Sequence, residues 1–236
     1  MKIIKKLSVV VPVYNEKKTI SKIIDQLYKV NFDKIKLEVI VVNDGSTDNT
    51  FKVLQTLNKK YPFKLISYPN NHGKSFALRR GFEVTSGDVI TIQDGDLEYN
   101  PQDFNLMIKE MLKNKETKVV YGSRRLKKEN LQYSGLSFYL GGLLLTVITN
   151  TLYGTKITDE PTCYKMFDAN LLKSIKLNSK HFEFCPEVTA KVAKLGHNIY
   201  EVPISYSPRH TANGKKIKLK DFFEAFYTLL KYRFTD

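Results

Sequence analysis

The fold is decided by Leu7-Ser-Val-Val-Val-Pro-Val13, an apolar and β-branched run that is typical of a buried strand. A helical pattern follows it, with an apolar face formed by Ile20, Ile23, Ile24 and Leu27. The same alternation predicts further strands at Leu37–Val42, Lys64–Tyr68, Asp88–Gln93 and Lys118–Tyr121, and further helices at Asp48–Tyr61, Lys74–Thr85 and Pro101–Asn114. Repeated strand–helix units with continuous apolar strands predict an α/β fold, with a mostly parallel, doubly wound (Rossmann-like) sheet and helices on both faces.

The composition favours one globular domain with an anionic partner. The chain has 236 residues, and its 38 Lys and Arg against 24 Asp and Glu give a formal charge of +14. This balance is typical of proteins that meet nucleic acid, anionic membranes or phosphorylated substrates, although solubility alone could account for it. The two cysteines, Cys163 and Cys185, form no CxxC pair, so no structural zinc site is expected. The N-terminus carries no export signal, which predicts a cytoplasmic protein with reduced thiols.

Two segments in the second half of the chain are apolar enough to be considered for contact with a membrane. Leu131–Thr155 has no charged residue, but polar side chains and four glycines interrupt it, so a core or membrane-facing helix is favoured over a membrane span. Further on, an amphipathic helix is predicted at Leu219–Tyr232, with an apolar face of Leu219, Phe222, Phe223, Phe226, Leu229 and Leu230. The basic segment Arg209–Lys220 overlaps its start and contains no acidic residue. These features fit a helix in a membrane interface and equally a C-terminal helix packed on the domain.

Polar clusters follow three strands of the predicted sheet, at Pro12–Glu16, Asn43–Asp48 and Gln93–Glu98. Ligands of an open parallel sheet bind beyond the carboxyl ends of its strands, so these clusters should meet at one edge. Asp94 and Asp96 offer two carboxylates separated only by Gly95, and Glu98 could supply another oxygen. Hard oxygen ligands suit Mg²⁺ or Mn²⁺ that shares its coordination with a substrate diphosphate.

Two other kinds of phosphate site are excluded. Gly73-Lys74-Ser75 resembles the end of a P-loop, but Tyr68 stands where that loop requires its first glycine, and the segment follows the third strand. No Gly-x-Gly-x-x-Gly follows the first strand, so no dinucleotide cofactor is expected.

In combination, the motifs resemble those of the family 2 glycosyltransferases. In the first half, the resemblance is carried by Val11-Pro-Val-Tyr-Asn-Glu16, Asn43-Asp-Gly-Ser-Thr-Asp48, Asn71-His-Gly-Lys74 and Asp94-Gly-Asp96. In the second half, motifs similar to those of the dolichyl-phosphate mannose synthase and polyprenyl-phosphate glycosyltransferase branch are Gly122-Ser-Arg124, Asp159-Glu-Pro-Thr-Cys-Tyr-Lys165, Phe182-Glu-Phe-Cys-Pro-Glu187, Glu201-Val-Pro203 and Arg209 through Ile217. The resemblance covers nearly the whole chain and implies the GT-A fold.

The resemblance also implies roles for individual residues. The donor nucleotide would be bound by Pro12, Tyr14, Glu16, Val42, Asp44, Lys74, Asp94 and Gly95. Mg²⁺ or Mn²⁺ would be held on the donor diphosphate by Asp94, Asp96 and Glu98. The phosphates of donor and acceptor would be bound by Arg124, Arg209 and Lys215, and catalysis would depend on Asp159, Asp96 and Arg124. The single domain would comprise a nucleotide-sugar-binding half (1–122), an acceptor-binding half (123–208) and a membrane-proximal tail (209–236).

These roles predict an inverting, metal-dependent glycosyltransferase that moves a hexose from a nucleotide sugar, of the UDP-glucose or GDP-mannose type, to a polyprenyl (dolichyl or undecaprenyl) monophosphate. Because this acceptor is already anionic, Asp159 would orient groups rather than remove a proton. One alternative is transfer to a sugar hydroxyl in polysaccharide or glycolipid assembly, with Glu160 or Glu187 as the base. Another is a non-catalytic membrane-surface or nucleic-acid-binding protein, against which the acidic strand-end clusters count. The expected location is the cytoplasmic face of an anionic membrane, where the chain would be peripheral and without a nucleic-acid partner.

Overall fold

The protein is built on a seven-stranded sheet with helices on both faces. The computed structural model describes residues 3–130, 136–208 and 219–235. The strands are Lys6–Val13 (β1), Lys36–Asp44 (β2), Lys64–Tyr68 (β3), Val89–Ile92 (β4), Val119–Ser123 (β5), Lys165–Asp168 (β6) and Ile199–Pro203 (β7). The helices are Ile20–Lys29 (α1), Thr50–Asn58 (α2), Lys74–Glu83 (α3), Phe104–Lys113 (α4), Leu136–Tyr153 (α5), Ala169–Ser174 (α6), Phe184–Lys194 (α7) and Leu219–Phe234 (α8). A 3₁₀ turn, Pro101–Asp103, precedes α4.

The strand order places the predicted functional loops at one edge of the sheet. The order is β3-β2-β1-β4-β6-β5-β7, in which β6 runs antiparallel to both of its neighbours and the other pairs are parallel. The predicted mostly parallel α/β fold is thus confirmed. Because β6 is reversed, the segment before it, Asp159–Tyr164, lies at the same edge as the carboxyl ends of the other strands. That edge therefore collects this segment and the loops after β1, β2, β4 and β5.

Two apolar layers cover the two faces of the sheet. Alternate residues of β1 join the layer beneath α1 and α4, namely Leu7, Val9, Val11 and Val13. Val10 joins the other layer, beneath α3 and α7. At Gly81, α3 comes so close to β1 that an added Cβ would lie 2.3 Å from Val10 Cγ1. Any larger residue at this position would push the helix away from the sheet, and with it the α3 N-terminus that belongs to the site.

The predicted helices of the second half pack against each other. Leu131–Thr155 contains α5, and no helix among the described residues is long and apolar enough to cross a membrane. One face of α8 is buried against α5, where Leu145 meets Ala225 and Leu229, and Phe222 and Phe226 lie beside them. Of the two alternatives for the apolar face of α8, packing on the domain is observed for Phe222, Phe226 and Leu229. Phe223 is the exception, with 59% of its surface exposed.

Candidate active site

The loops after β1 and β2 are joined by hydrogen bonds between side chains and backbone. Asn15 adopts a left-handed conformation, with φ of 55°, and its Oδ1 accepts from the backbone N–H of Thr47 at 2.8 Å. The backbone N–H of Glu16 donates to Thr50 Oγ1 at 2.9 Å. An asparagine tolerates this conformation better than most residues, which explains its place in the turn. These bonds hold Tyr14 and Glu16, two predicted donor-binding residues, against the neighbouring loop.

Asp44 organises the chain that leads into α3. Its carboxylate accepts from the backbone N–H of Gly73 at 2.7 Å and from that of His72 at 3.0 Å, and the Asn71 side chain donates to it at 3.1 Å. Gly73 has φ of 101°, a conformation that L side chains rarely adopt. Asp44, a predicted nucleotide ligand, thus also fixes the start of α3 and with it the position of Lys74.

Lys74 reaches from the start of α3 to the end of β4. Its Nζ lies 2.6 Å from Asp94 Oδ1 and 3.1 Å from Cys163 Sγ. Burial disfavours the ammonium charge, but the carboxylate of Asp94 outweighs it, so the pKa of Lys74 is raised well above its ordinary value. Gly95 lies against Glu16, since an added Cβ would be 3.5 Å from Glu16 Cγ. The structure therefore brings together four predicted donor-binding residues: Glu16, Lys74, Asp94 and Gly95.

The three predicted metal ligands do not converge as a cage. Among the residues that the structure describes, no group of three or more His, Cys, Asp or Glu side chains is arranged to hold a metal ion. Asp94 pairs with Lys74, Asp96 Oδ1 accepts the backbone N–H of Glu98 at 3.1 Å, and Glu98 Oε2 accepts from the Tyr206 hydroxyl at 3.0 Å. The oxygen donors fit Mg²⁺ or Mn²⁺ that takes one or two carboxylates from the protein and its other ligands from a diphosphate and water.

Arg124 and Asp159 form a buried, two-pronged ion pair at the same edge. Arg124 donates from Nε to Oδ2 at 2.7 Å, from Nη2 to Oδ1 at 2.6 Å, and from its backbone N–H to Oδ2 at 3.0 Å. Burial opposes the ionisation of Asp159, yet the Arg124 charge prevails and holds the pKa of this carboxyl below its ordinary value. The Glu201 carboxylate accepts hydrogen bonds from the backbone N–H groups of Thr158 and Asp159, and these bonds fix the backbone that carries Asp159. Asp159 therefore orients Arg124 and is poorly suited to remove a proton.

Tyr206 connects the two groups of charges. Its hydroxyl donates to Glu98, and its ring lies 5.1 Å from the guanidinium carbon of Arg124. Tyr206 also forms an isolated antiparallel bridge with Tyr99. Sequence reasoning missed both tyrosines because neither belongs to a quoted motif, and the contact between Tyr206 and Glu98 spans 108 positions. The only local signal was the end of β7 three residues before Tyr206.

The remaining predicted residues divide into three cases. Pro12 lies in β1, is partly exposed and pairs in register with Val42 of β2. The side chain of Val42 is fully buried in the apolar layer beneath α3, so a contact of this residue with a nucleotide would have to come from its backbone and stays a prediction. Arg209 and Lys215 lie outside the described residues, and their roles stay predictions.

Comparisons with known proteins identify the family of the chain. A family model described as Glycosyl transferase family 2 matches residues 8–176. The chain is 30% identical to the UDP-N-acetylglucosamine–dolichyl-phosphate N-acetylglucosaminyltransferase of Methanococcus voltae, over 96% of this chain and 95% of that protein. It is 29% identical to a dolichyl-phosphate beta-glucosyltransferase of Trichomonas vaginalis, over 95% of this chain and 72% of that protein.

The likeness extends to a solved structure. Glucosyl-3-phosphoglycerate synthase from Mycobacterium tuberculosis, in complex with uridine-diphosphate, superposes with a TM-score of 0.75, over 97% of this chain and 80% of that chain. Sequence identity in this pair is 20%, so the match shows the fold. The resemblance drawn from the motifs is confirmed: the chain belongs to glycosyl transferase family 2 and is a glycosyltransferase of the GT-A fold.

Proposed function

We propose that this chain transfers a hexose from a nucleotide sugar to a polyprenyl monophosphate, with inversion at the anomeric carbon and with Mg²⁺ or Mn²⁺ on the donor diphosphate. The observation that carries the proposal is the rigid Arg124–Asp159 pair at the same edge of the sheet as Asp94 and Asp96. The names of the two curated relatives, which act on dolichyl phosphate, support it.

Donor binding would use the loops after β1, β2 and β4. Tyr14 and Glu16 would contact the nucleoside, while Lys74 and Asp96 would lie with the diphosphate. A divalent ion, when bound, would stabilise the negative charge that develops on the leaving diphosphate. Asp94 keeps Lys74 charged and oriented, so this lysine can stabilise the same charge.

The acceptor side provides a fixed positive charge and no obvious base. Arg124 has a planar guanidinium that can bind phosphate oxygens, and both oxygens of Asp159 already accept from it. A phosphate monoester is anionic at neutral pH, so its oxygen can attack without a general base once it is positioned. Arg209 and Lys215 would add to the binding of this phosphate. A lipid phosphate therefore suits the site better than a neutral acceptor.

The alternative acceptor, a sugar hydroxyl, needs a carboxylate base that the predicted candidates do not supply. Glu187 is fully buried and accepts from the backbone N–H groups of Asn178 and Ser179, at 2.7 and 2.8 Å. It also pairs with Lys191, so its role is structural. Glu160 is fully buried as well, which keeps it away from an incoming substrate.

The acceptor lipid requires the enzyme to work at a membrane surface, and we place the chain there as a peripheral protein on the cytoplasmic face. A row of aliphatic side chains on α5 supports this placement, since each is between 39% and 52% exposed: Leu140, Leu143, Leu144 and Val147. Apolar side chains that remain in water on one helix face favour insertion into a lipid interface. The basic segment Arg209–Lys220 would add attraction to anionic lipid, at about 1 kcal/mol for each charge near the surface.

A transfer assay tests the proposal. Purified protein is incubated with UDP-glucose, GDP-mannose or UDP-N-acetylglucosamine and a polyprenyl phosphate in detergent, with Mn²⁺ or with EDTA. We expect a lipid-linked sugar phosphate from one donor, and no product in EDTA. Arg124→Ala should lose transfer, whereas Arg80→Ala, which removes the exposed pair with Glu83 and a contact with the Phe76 ring, should not. Transfer to a hydroxyl acceptor in place of the lipid phosphate would overturn the acceptor assignment, and undiminished transfer in EDTA would overturn the metal requirement.

A further inference from the structure

The only two cysteines of the chain, Cys163 and Cys185, lie next to each other beside the donor site. Cys163 belongs to the segment before β6, and Cys185 is the second residue of α7. Cys185 Sγ lies 3.5 Å from the carbonyl oxygen of Thr162, the neighbour of Cys163, so the two thiols are close enough to interact. Neither thiol has a part in the proposed transfer reaction, so their approach needs another explanation.

The approach is built into the fold. The backbone N–H of Ser75, in the first turn of α3, donates to the carbonyl of His181 at 2.8 Å. The Ser75 hydroxyl accepts from the backbone N–H of Phe184, the first residue of α7, at 3.1 Å. These bonds fix the start of α7 to the start of α3, where Lys74 Nζ lies 3.1 Å from Cys163 Sγ. The sulfur atoms are therefore held together by two helices and the segment before β6.

The surroundings make the pair reactive. The hydrogen bond from Cys163 lowers the pKa of Cys185 to about 6, although burial opposes this. A thiolate is thus present at neutral pH, and the thiolate is the form that attacks oxidants. Both thiols are partly buried rather than sealed in the core. Disulfides that form in reducing compartments are mostly transient and redox-sensing.

We propose that Cys163 and Cys185 are a redox-sensitive pair that closes into an intramolecular disulfide when a peroxide oxidises it, and that closure weakens donor binding through Lys74. One thiolate attacks a peroxide oxygen, which breaks the O–O bond and gives a sulfenic acid and hydroxide. The second sulfur then attacks the sulfenic sulfur, and the S–O bond breaks with release of water. In total, two thiols and one hydrogen peroxide give one disulfide and two water molecules.

Closure changes the contacts of Lys74. An S–S bond of about 2.05 Å is much shorter than a thiol–thiol contact, so Cys163 would move towards α7. This movement would take the Cys163 sulfur away from Lys74 Nζ, which it contacts at 3.1 Å in the reduced protein. This consequence rests on the proposed function, in which Lys74 lies with the donor diphosphate. Lys74 would then be held by Asp94 alone and would shift relative to the diphosphate, so we expect oxidation to lower the affinity for a nucleoside diphosphate about tenfold, the effect of losing the Lys74–phosphate contact.

The first measurement decides the disulfide independently of any activity. The protein is treated with hydrogen peroxide, its free thiols are blocked, and it is digested with trypsin without reductant. We expect the fragments 157–165 and 181–191 to be linked, with a mass two hydrogen atoms below their sum. Separate fragments with independently oxidised cysteines, or a chain-to-chain disulfide dimer on a non-reducing gel, would overturn the proposal.

The second measurement tests the consequence for the donor site. Calorimetry compares UDP and GDP binding to the reduced and the oxidised protein, with Cys185→Val as the matched control, since Cys185 packs against an apolar cluster and valine should fit there. Oxidation should weaken binding in the wild type and leave the variant unchanged, and reductant should restore it. If the wild-type protein forms the disulfide but keeps its affinity for the nucleotide, the proposed effect of the disulfide on donor binding is wrong. If neither the reduced nor the oxidised protein binds a nucleotide, the proposed function is wrong. The tryptic fragments of the first measurement still show whether the disulfide forms.

Discussion

Two regions of the molecule, the surroundings of Glu38 in β2 and the segment Asp159–Glu160 before β6, hold their buried carboxylates in different ways. In the first half, Glu38 accepts from the Ser8 hydroxyl at 2.6 Å, and from the backbone N–H and hydroxyl of Ser86 at 2.8 and 2.7 Å. It also pairs with Lys6 and Lys64, each at 3.1 Å. Burial disfavours its charge, yet these partners hold the pKa of Glu38 well below its ordinary value.

In the second half, the two adjacent buried carboxylates Asp159 and Glu160 have fewer partner residues than Glu38, whereas Glu187 resembles Glu38 in accepting from Asn178, Ser179 and Lys191. Glu160 is fully buried, its Oε2 has no hydrogen-bond partner, and burial raises its pKa to about 8. Its neighbour Asp159 remains ionised mainly because one residue, Arg124, holds it. The surroundings of Glu38 are thus a framework in which one buried charge has several partners, whereas the segment Asp159–Glu160 carries an electrostatic cost close to the proposed acceptor site. Such local costs are expected where a site is arranged for function.

The strongest test of this difference is Asp159→Asn. The substitution leaves the Arg124 guanidinium buried beside a neutral group, which should cost about 3–5 kcal/mol of unfolding free energy and abolish transfer. Denaturant unfolding and the transfer assay measure the two effects. In the double variant Asp159→Asn with Arg124→Met, the unpaired charge is gone, so most of the stability should return while transfer stays absent. If the single variant is as stable as the wild type, the charge of Asp159 is not needed to compensate the buried charge of Arg124.

The second test uses the raised pKa of Glu160. The unfolded chain releases this proton near pH 4.5 and the folded chain near pH 8, so the folded state binds more protons between these values and stability falls as pH rises. Glu160→Gln cannot ionise and should lack this slope. Across the window, the wild type should lose on the order of 5 kcal/mol relative to the variant. Unfolding measured at several pH values would contradict the idea if the two curves ran parallel.

The contrast between the halves also explains what the sequence can reveal. In the first half, the signals are local: β3 is observed at the predicted Lys64–Tyr68, and a helical turn begins at the predicted Pro101, where the side chain of Asn100 accepts from the Gln102 N–H at 3.1 Å. The helix predicted from Asp48 begins later, at Thr50, because Asp48 accepts from the Thr50 N–H and acts before the helix. Each of these features depends on residues close in sequence.

In the second half, the important contacts join distant residues. Arg124 and Asp159 are 35 positions apart, and no hydrophobic period or turn motif encodes their pairing. The antiparallel direction of β6 depends on the strands between which it lies. The four residues of Lys165–Asp168 alone therefore do not predict whether this strand runs parallel or antiparallel to its neighbours. The apolar face of α8 was visible, but its pattern is the same whether lipid or α5 covers it. The residue types at the site were therefore predictable, whereas their partners were not.

The third test concerns Glu38 in the first half of the chain. Glu38→Gln replaces a carboxylate that several donors share, and the loss of its charged hydrogen bonds should cost about 2 kcal/mol at neutral pH. The direction is opposite to that of Glu160→Gln, which should stabilise the protein there. The contribution of Glu38 should be present above pH 4.5 and disappear as the pH falls through its lower folded pKa. Glu116→Gln, at an exposed position, is the control, and equal effects of the two substitutions would contradict the description of Glu38.

The smallest expected effect concerns the surface of the second half, and it separates α5 from α8 as the membrane contact. Leu144 on α5 is 49% exposed, and Leu106 on α4, in the first half, is 45% exposed, so the two leucines are a matched pair. If α5 enters the lipid interface, Leu144→Ser should remove about 1 kcal/mol of apolar transfer energy and weaken liposome binding about fivefold, whereas Leu106→Ser should have no effect.

Flotation with anionic liposomes measures this binding, and added salt separates its two parts. Salt should weaken the contribution of the basic segment in both variants, because it screens charges beyond a Debye length of about 8 Å at physiological ionic strength. The difference between the two leucine variants should persist at high salt, since burial of an apolar side chain does not depend on screening. If Phe223→Ser weakens binding and Leu144→Ser does not, the exposed side of α8 is the contact surface, and the aliphatic row on α5 has another role.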